Sequence, residues 1–290
     1  MKAGIVSCSN WQSLEWTETI NELRAVLKDM GINACAGEHI YAGDGQVAAG
    51  TPKERAADLM AFFKDREITD IFDISGGDVA NEILPYLDYE AVKASQAMFW
   101  GYSDLTALIN AICAKTQRPS ILYQIKNLVW ESGDIQRDRF RNFISLDKSR
   151  DCDLFDFRYE FLQGEEMHGL TVGGNVRCLL KLAGTSYWPE MDERVLVLEA
   201  LGGSETQIRT YFSQLDQMGV FSRVRGILLG TFTKLEETKG ALAAYELLRP
   251  HISEKLPVAG TPDIGHGKDA RAVVIGDEIH LYREECPAGV

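Results

Sequence analysis

Between Gln96 and Ala114 an apolar run, Ala97-Met98-Phe99-Trp100, breaks at Gly101-Tyr102-Ser103-Asp104 and resumes with a different period. Leu105, Leu108, Ile109 and Ile112 stand at i, i+3, i+4 and i+7, the spacing of one buried helical face. A strand must therefore turn sharply into a helix at Ser103. A serine at such a corner has its hydroxyl pushed out at the carboxyl edge of a sheet, where first-turn amides point at whatever approaches. That geometry suits an acyl-transfer nucleophile. It equally suits a plain N-cap, because G-x-S lacks the second glycine of the hydrolase elbow.

Strand and helix patterns alternate ahead of this corner. Ala3 to Ser7 reads as a buried strand, Glu18 to Met30 as an amphipathic helix, Asn33 to Ile40 as a second strand and Pro52 to Asp65 as a helix. Thr69 to Ile74 is a short buried strand running into Ser75-Gly76-Gly77-Asp78. Paired glycines at a strand's carboxyl end either make a simple turn or bring amides close to a bound oxyanion or carboxylate. The alternation predicts a parallel sheet covered on both faces, with Gly77 and Ser103 on one edge. Gly43-Asp44-Gly45-Gln46-Val47-Ala48 has the form of a dinucleotide fingerprint, but no buried strand precedes it and the next helix starts only near Pro52, so a mobile loop is expected.

After Leu122 the periodicity fades, and the charge-rich stretch from Ser132 to Ser149 reads as a crossing between domains 1–131 and 150–290. The second half has a mixed α+β texture without an internal repeat. Its expected strands include Phe155–Phe161, Gly169–Val172, Arg194–Leu201, Val224–Phe232 and Pro257–Thr261. A helix opens at the capping-box spacing Ser204-x-x-Gln207, and a hairpin is expected through Gly276-Asp277.

The 290 residues carry a formal net charge of −13, with no Lys/Arg cluster of the kind a nucleic-acid face requires. Cys8, Cys35, Cys113, Cys152, Cys178 and Cys286 are scattered without C-x-x-C or zinc-ligand spacing, and read as reduced, mostly buried thiols of a cytoplasmic protein. Neither a signal peptide nor a membrane span is expected.

Two further residues carry chemistry. Glu199 ends the run Val195-Leu196-Val197-Leu198, where a carboxylate is either exposed at the strand end or held for a purpose. His266 lies between Gly265 and Gly267 in a loop that leaves its imidazole accessible, whereas His280 alternates within a strand, His251 follows Pro250 at a helix end, and His39 and His168 lie in segments without companion chemistry. Ser103, Glu199 and His266 follow the chain order nucleophile, acid, base.

Taken together, Gly50-Thr51 with Glu54 to Leu59, Gly76-Gly77, Leu84 to Tyr89, Gly101 to Leu108, Gly173-Gly174-Asn175, Leu196 to Glu199 and Gly265-His266 resemble, in order, the serine LD-carboxypeptidases of peptidase family S66. That family includes muramoyltetrapeptide carboxypeptidases and microcin C immunity peptidases. The resemblance implies a flavodoxin/Rossmann-like α/β domain bearing the nucleophile, a smaller α+β domain bearing the glutamate and histidine, and an active site in the cleft between them. It implies a Ser103–His266–Glu199 triad, an oxyanion hole from the amides of Asp104 and the Gly77–Asp78 turn, no metal or cofactor, a small muropeptide-derived substrate, and a homodimer. Where many family members have arginine before the paired glycines, this chain has Ser75, and where they have Gly-Pro after the nucleophile helix it reads Gln124-Ile125-Lys126-Asn127. Ser75, Lys126 and Arg177 are therefore the substrate-binding candidates. A peptidyl- or aminoacyl-nucleotide amide is the alternative substrate, and a non-catalytic flavodoxin-like anion binder is the reading from another class.

Overall fold

The computed structural model describes residues 1–42 and 45–283; Gly43 and Asp44 of the glycine-rich loop, and Cys286, lie outside the described residues. The front half runs β1 (Lys2–Val6), α1 (Thr17–Asp29), β2 (Asn33–Ala36), α2 (Pro52–Lys64), β3 (Ile68–Asp73), α3 (Tyr89–Ala94), β4 (Met98–Gly101), α4 (Thr106–Thr116), β5 (Ser120–Leu122) and α5 (Gly133–Ser145). The back half runs β6 (Glu160–Gln163), β7 (Glu166–Asn175), α6 (Val176–Leu180), β8 (Val195–Ala200), α7 (Glu205–Gln217), β9 (Gly226–Phe232), α8 (Thr233–Lys239), α9 (Ala243–Leu248), β10 (Val258–Gly260), β11 (Val273–Ile275) and β12 (Glu278–Tyr282).

The first sheet has the order β11-β5-β4-β3-β1-β2, parallel except for β11. Its strand order reverses between β1 and β3, and a doubly wound sheet opens its ligand crevice at the carboxyl ends of such a pair. The loops that meet there are Ser7 to Asn10 and Ile74 to Asp78. The second sheet has the order β12-β7-β8-β9-β10-β6, its four central strands parallel and both edges antiparallel. The chain is thus an α/β protein with two sheets.

Local signals hold where they are strongest. Thr51 with Glu54 and Ser204 with Gln207 form complete capping boxes at α2 and α7. β2 ends at Ala36 and α2 begins only at Pro52.

Two sequence expectations are corrected. The stretch read as an aperiodic crossing is largely α5, whose Phe140 and Phe143 lie 5.7 and 5.6 Å, centroid to centroid, from the buried ring of Trp100. Its charges mask a narrow apolar stripe. The hairpin at Gly276-Asp277 is not one: β11 pairs with β5 in the first sheet and β12 with β7 in the second. The turn instead carries the chain from one sheet to the other, and stitches the halves together.

Candidate active site

β4 delivers Ser103 as a corner. Tyr102 is fully extended at φ −159° and ψ 158°, and Ser103 then takes φ +53°, the left-handed region that costs a non-glycine residue about 1–3 kcal/mol. Gly101 makes room for the turn, since a Cβ there would lie 2.7 Å from Leu105 Cβ. The hydroxyl is not spent on capping: the residues at the cap positions, Tyr102 and Leu105, make no side-chain cap bond, and Ser103 lies one place past the first. A Cβ built on Gly76 would lie 4.0 Å from Ser103 Oγ, so the glycine turn stands directly over the hydroxyl.

The next residue anchors the corner. Asp104 is fully buried, and its carboxylate accepts from the Ser9 hydroxyl at 2.6 Å and the Ala80 amide at 2.8 Å while pairing with the Lys181 ammonium. Its side chain is therefore structural. Its amide, in the first helical turn, is one of the donors a helix leaves without an internal acceptor.

Glu199 is 1% exposed, which decides between the two readings open to it. Its Oε2 lies 2.6 Å from His266 Nδ1, and its Oε1 accepts from Asn175 Nδ2 at 2.9 Å. A carboxylate accepts only, so Nδ1 is the donor in this contact. His266 Nε2 is buried and makes no hydrogen bond among the described residues. The ring lies 4.3 Å, centroid to centroid, from Tyr102, the residue immediately before Ser103. Burial, with Glu199 close by, raises the Tyr102 phenol well above its usual range, so it stays neutral. Gly265 takes φ +137°, and a Cβ on Gly230 would overlap the Ile264 carbonyl, so two glycines let the histidine loop lie flat on β9.

The two halves are registered by helix α4. Asn110 exchanges a reciprocal pair of bonds with Gly173, Nδ2 to the carbonyl at 2.8 Å and the amide to Oδ1 at 2.9 Å. Thr106 Oγ1 accepts from the Asn175 amide at 2.9 Å. The helix that follows Ser103 therefore grips the strand end whose Asn175 holds Glu199. Gly173 and Gly174 have φ +106° and +125°, and a Cβ on Gly174 would come 2.7 Å from Thr106 Oγ1.

The remaining candidates are placed as follows. The Asp78 amide is taken by Asn10 Oδ1 at 2.9 Å, which corrects its expected place in an oxyanion hole; the Gly77 amide donates to nothing among the described residues. Ser75 is sealed, its hydroxyl donating to Asp73 Oδ1 at 2.5 Å and accepting from the Ser9 amide at 2.9 Å, so it cannot reach a substrate. Lys126 is 8% exposed, bonds Gln12 Oε1 at 3.0 Å, and lies 5.5 and 5.1 Å from the ring centroids of Trp16 and Trp130. Burial lowers its pKa to about 8, opposed in part by Asp73. Arg177 is not free for a substrate, since it pairs with Asp78 and donates to the Gly77 carbonyl at 3.0 Å.

Sequence reasoning assigned no role to Asn10, Asn175 or Lys181. Gly173-Gly174-Asn175 is the one available signal, a glycine pair followed by an amide at the opening of a short helix. The other four histidines lie beside other side chains: His39 by the largely buried Asp58, His251 by Asp216, His280 by Glu166 and His168 by Arg225. Among the described residues no cluster of His, Cys, Asp or Glu could hold a metal ion.

Residues 3–123 match the LD-carboxypeptidase N-terminal domain, and residues 168–281 the LD-carboxypeptidase C-terminal domain. A Treponema pallidum protein named as a carboxypeptidase is 29% identical over 277 residues, covering 87% of this chain and 81% of its own length. The Escherichia coli microcin C7 self-immunity protein MccF is 29% identical over 263 residues, covering 80% and 76%. The solved muramoyltetrapeptide carboxypeptidase of Oxalobacter formigenes has the same fold, with TM-score 0.81 and 19% identity over 98% of this chain and 96% of that one.

Proposed function

Because this chain belongs to the LD-carboxypeptidase family S66, serine-type hydrolases, we propose that Ser103 is its nucleophile, His266 its general base and Glu199 the carboxylate that orients the base. The observation that carries this reading is the 2.6 Å Glu199–His266 contact, with Nε2 buried and without a hydrogen bond among the described residues, and with the imidazole 4.3 Å, centroid to centroid, from Tyr102, the neighbour of the strained Ser103. Nε2 takes the Ser103 proton as Oγ attacks the scissile carbonyl, and Glu199 stabilises the imidazolium that forms. The proton then goes to the leaving amine, the C–N bond breaks, and water attacks the acyl-enzyme with His266 again as base. The amides of Gly77 and Asp104 receive the oxyanion, where losing one donor costs about 3 kcal/mol.

The substrate is a cytoplasmic, peptidoglycan-derived tetrapeptide, cut at an L,D bond to release its terminal D-amino acid, and the enzyme works as a homodimer in peptidoglycan recycling. A second reading, hydrolysis of a peptidyl- or aminoacyl-nucleotide amide, is favoured by one feature: Ser75 is buried where a cation for a terminal carboxylate would be expected. Incubation with a fluorophosphonate tests the chemistry by a mass adduct on Ser103 that disappears in Ser103→Ala. A panel of L,D-tetrapeptides and aminoacyl sulfamoyl nucleosides, with products followed by mass, separates the two substrates. Loss of D-alanine from the tetrapeptide alone supports the first reading. Cleavage of the nucleoside amides alone replaces it with the second.

A further inference from the structure

The turn over Ser103 is held by both halves of the chain. From the Gly76 carbonyl to the Asp78 carbonyl there are five backbone polar groups, and four are engaged. Asn10 N–H donates to Gly76 O at 3.2 Å, Arg177 Nη2 to Gly77 O at 3.0 Å and Lys181 Nζ to Asp78 O at 2.8 Å, while the Asp78 amide donates to Asn10 Oδ1 at 2.9 Å. The fifth is the Gly77 N–H. A trans peptide is planar with its carbonyl and N–H pointing opposite ways, so fixing the Gly76 carbonyl fixes the direction of the Gly77 N–H. The same turn lies against Ser103, to which a Cβ on Gly76 would come within 3.8 Å at Cβ.

We propose that Asn10 and Arg177 are positioning residues that lock the Gly76–Gly77–Asp78 peptides so that, of this turn's amides, that of Gly77 is aimed at the oxyanion beside the Asp104 amide. The inference rests on the acyl-transfer reading above, and assigns to Arg177 a role in aiming a donor rather than in binding substrate. Asn10 acts from the front half, through both its backbone and its side chain. Arg177 acts across the cleft from α6, the short helix that begins beside Asn175. Gly77 has φ +128°, and a Cβ there would overlap the Asn10 side chain, so the close approach requires glycine. Lys181 couples the same turn to the Asp104 carboxylate, so both proposed oxyanion donors share one cation from the back half.

The test is the second-order rate of fluorophosphonate labelling at Ser103, read by mass for Asn10→Ala, Asn10→Asp, Arg177→Gln and Arg177→Lys, with thermal unfolding followed in parallel. Asn10→Ala and Arg177→Gln are expected to label about 10- to 100-fold more slowly, short of the 10²–10³ lost when a donor is deleted outright. Affinity for a substrate analogue with a reduced CH₂–NH bond, which forms no oxyanion, stays within about twofold of wild type by the same argument. Asn10→Asp, which keeps the acceptor for the Asp78 amide, recovers most of the rate, and Arg177→Lys recovers part of it. Folded variants that label at the wild-type rate overturn the proposal while leaving the triad standing. A wild-type protein that neither labels nor cleaves any member of the substrate panel overturns the acyl-transfer reading itself, and this inference with it. Should Asn10→Ala fail to fold, Arg177→Gln, whose side chain is 42% exposed, decides the matter.

Discussion

Asn175 and Glu199 face each other across adjacent parallel strands, in register, and the Asn175 side-chain Nδ2 donates to Glu199 Oε1 at 2.9 Å. The other carboxylate oxygen is thereby left for His266. A buried carboxylate with both oxygens directed has little freedom to rotate, which holds the imidazole in one tautomer.

Removing this support should show in catalysis before it shows in folding. Asn175→Ala is expected to lower kcat about 10- to 100-fold with a smaller change in KM, and Glu199→Gln to lower it by 10² or more, as loss of a triad carboxylate does elsewhere. Steady-state kinetics on the preferred substrate checks both. A Glu199→Gln enzyme with near-wild-type kcat would remove the carboxylate from the mechanism.

Ser103→Ala and His266→Ala should each abolish most turnover, and the double variant should be no worse than either, because the residues act as a unit. Single-turnover rates for the three variants measure this. Additive losses would mean that the two side chains work in separate steps.

The α4–β7 junction is a stability prediction. Asn110 is fully buried, and Asn110→Leu would leave the amide and carbonyl of Gly173 unpaired in the interior, at about 1–3 kcal/mol for each group. Urea unfolding should therefore show a loss of about 3 kcal/mol. Thr106→Val, which strands only the Asn175 amide, should lose about half as much. Equal midpoints for wild type and Asn110→Leu would contradict the role of this pair in registering the halves.

Lys126 makes a pH prediction. Its pKa is about 8 in the folded protein, below the ordinary lysine value of 10.5, because burial disfavours the ammonium. Between these values the unfolded chain binds the extra proton, so this residue's contribution to stability rises with pH from about 8 to 10.5 and is flat below. The gap between Lys126→Met and wild type should therefore shift in favour of wild type over that window, by up to about 1.4 kcal/mol per pH unit. Denaturant titrations at pH 7, 8, 9 and 10 measure it. Parallel profiles would place the ammonium in water rather than between Trp16 and Trp130.

Much of the fold is legible because its signals are short-range. Leu105, Leu108, Ile109 and Ile112 announce α4, Ser204 and Gln207 announce α7, and the glycine turns mark strand ends, all within a few residues. The failures have a common cause. α5 carries so many charges on its outer faces that Phe140 and Phe143 form only a thin stripe, whose meaning depends on Trp100, far away in the chain. The Gly276-Asp277 turn has hairpin composition, yet its two strands find better edges in different sheets.

By itself the amino-acid order determined the strand–corner–helix at Ser103, the parallel front sheet, and the residue types able to perform acyl transfer, since each depends on backbone preference and periodicity over one or two turns. Tertiary structure alone decided which polar groups are already satisfied. Ser75, Arg177 and the Asp78 amide look available in the chain, but folding commits them to Asp73, to the Gly77 carbonyl and Asp78, and to Asn10. A buried donor or acceptor must find a partner wherever the fold brings one: Asp73 is two residues from Ser75, but Asn10 is 68 residues from Asp78 and Gly77 is 100 from Arg177.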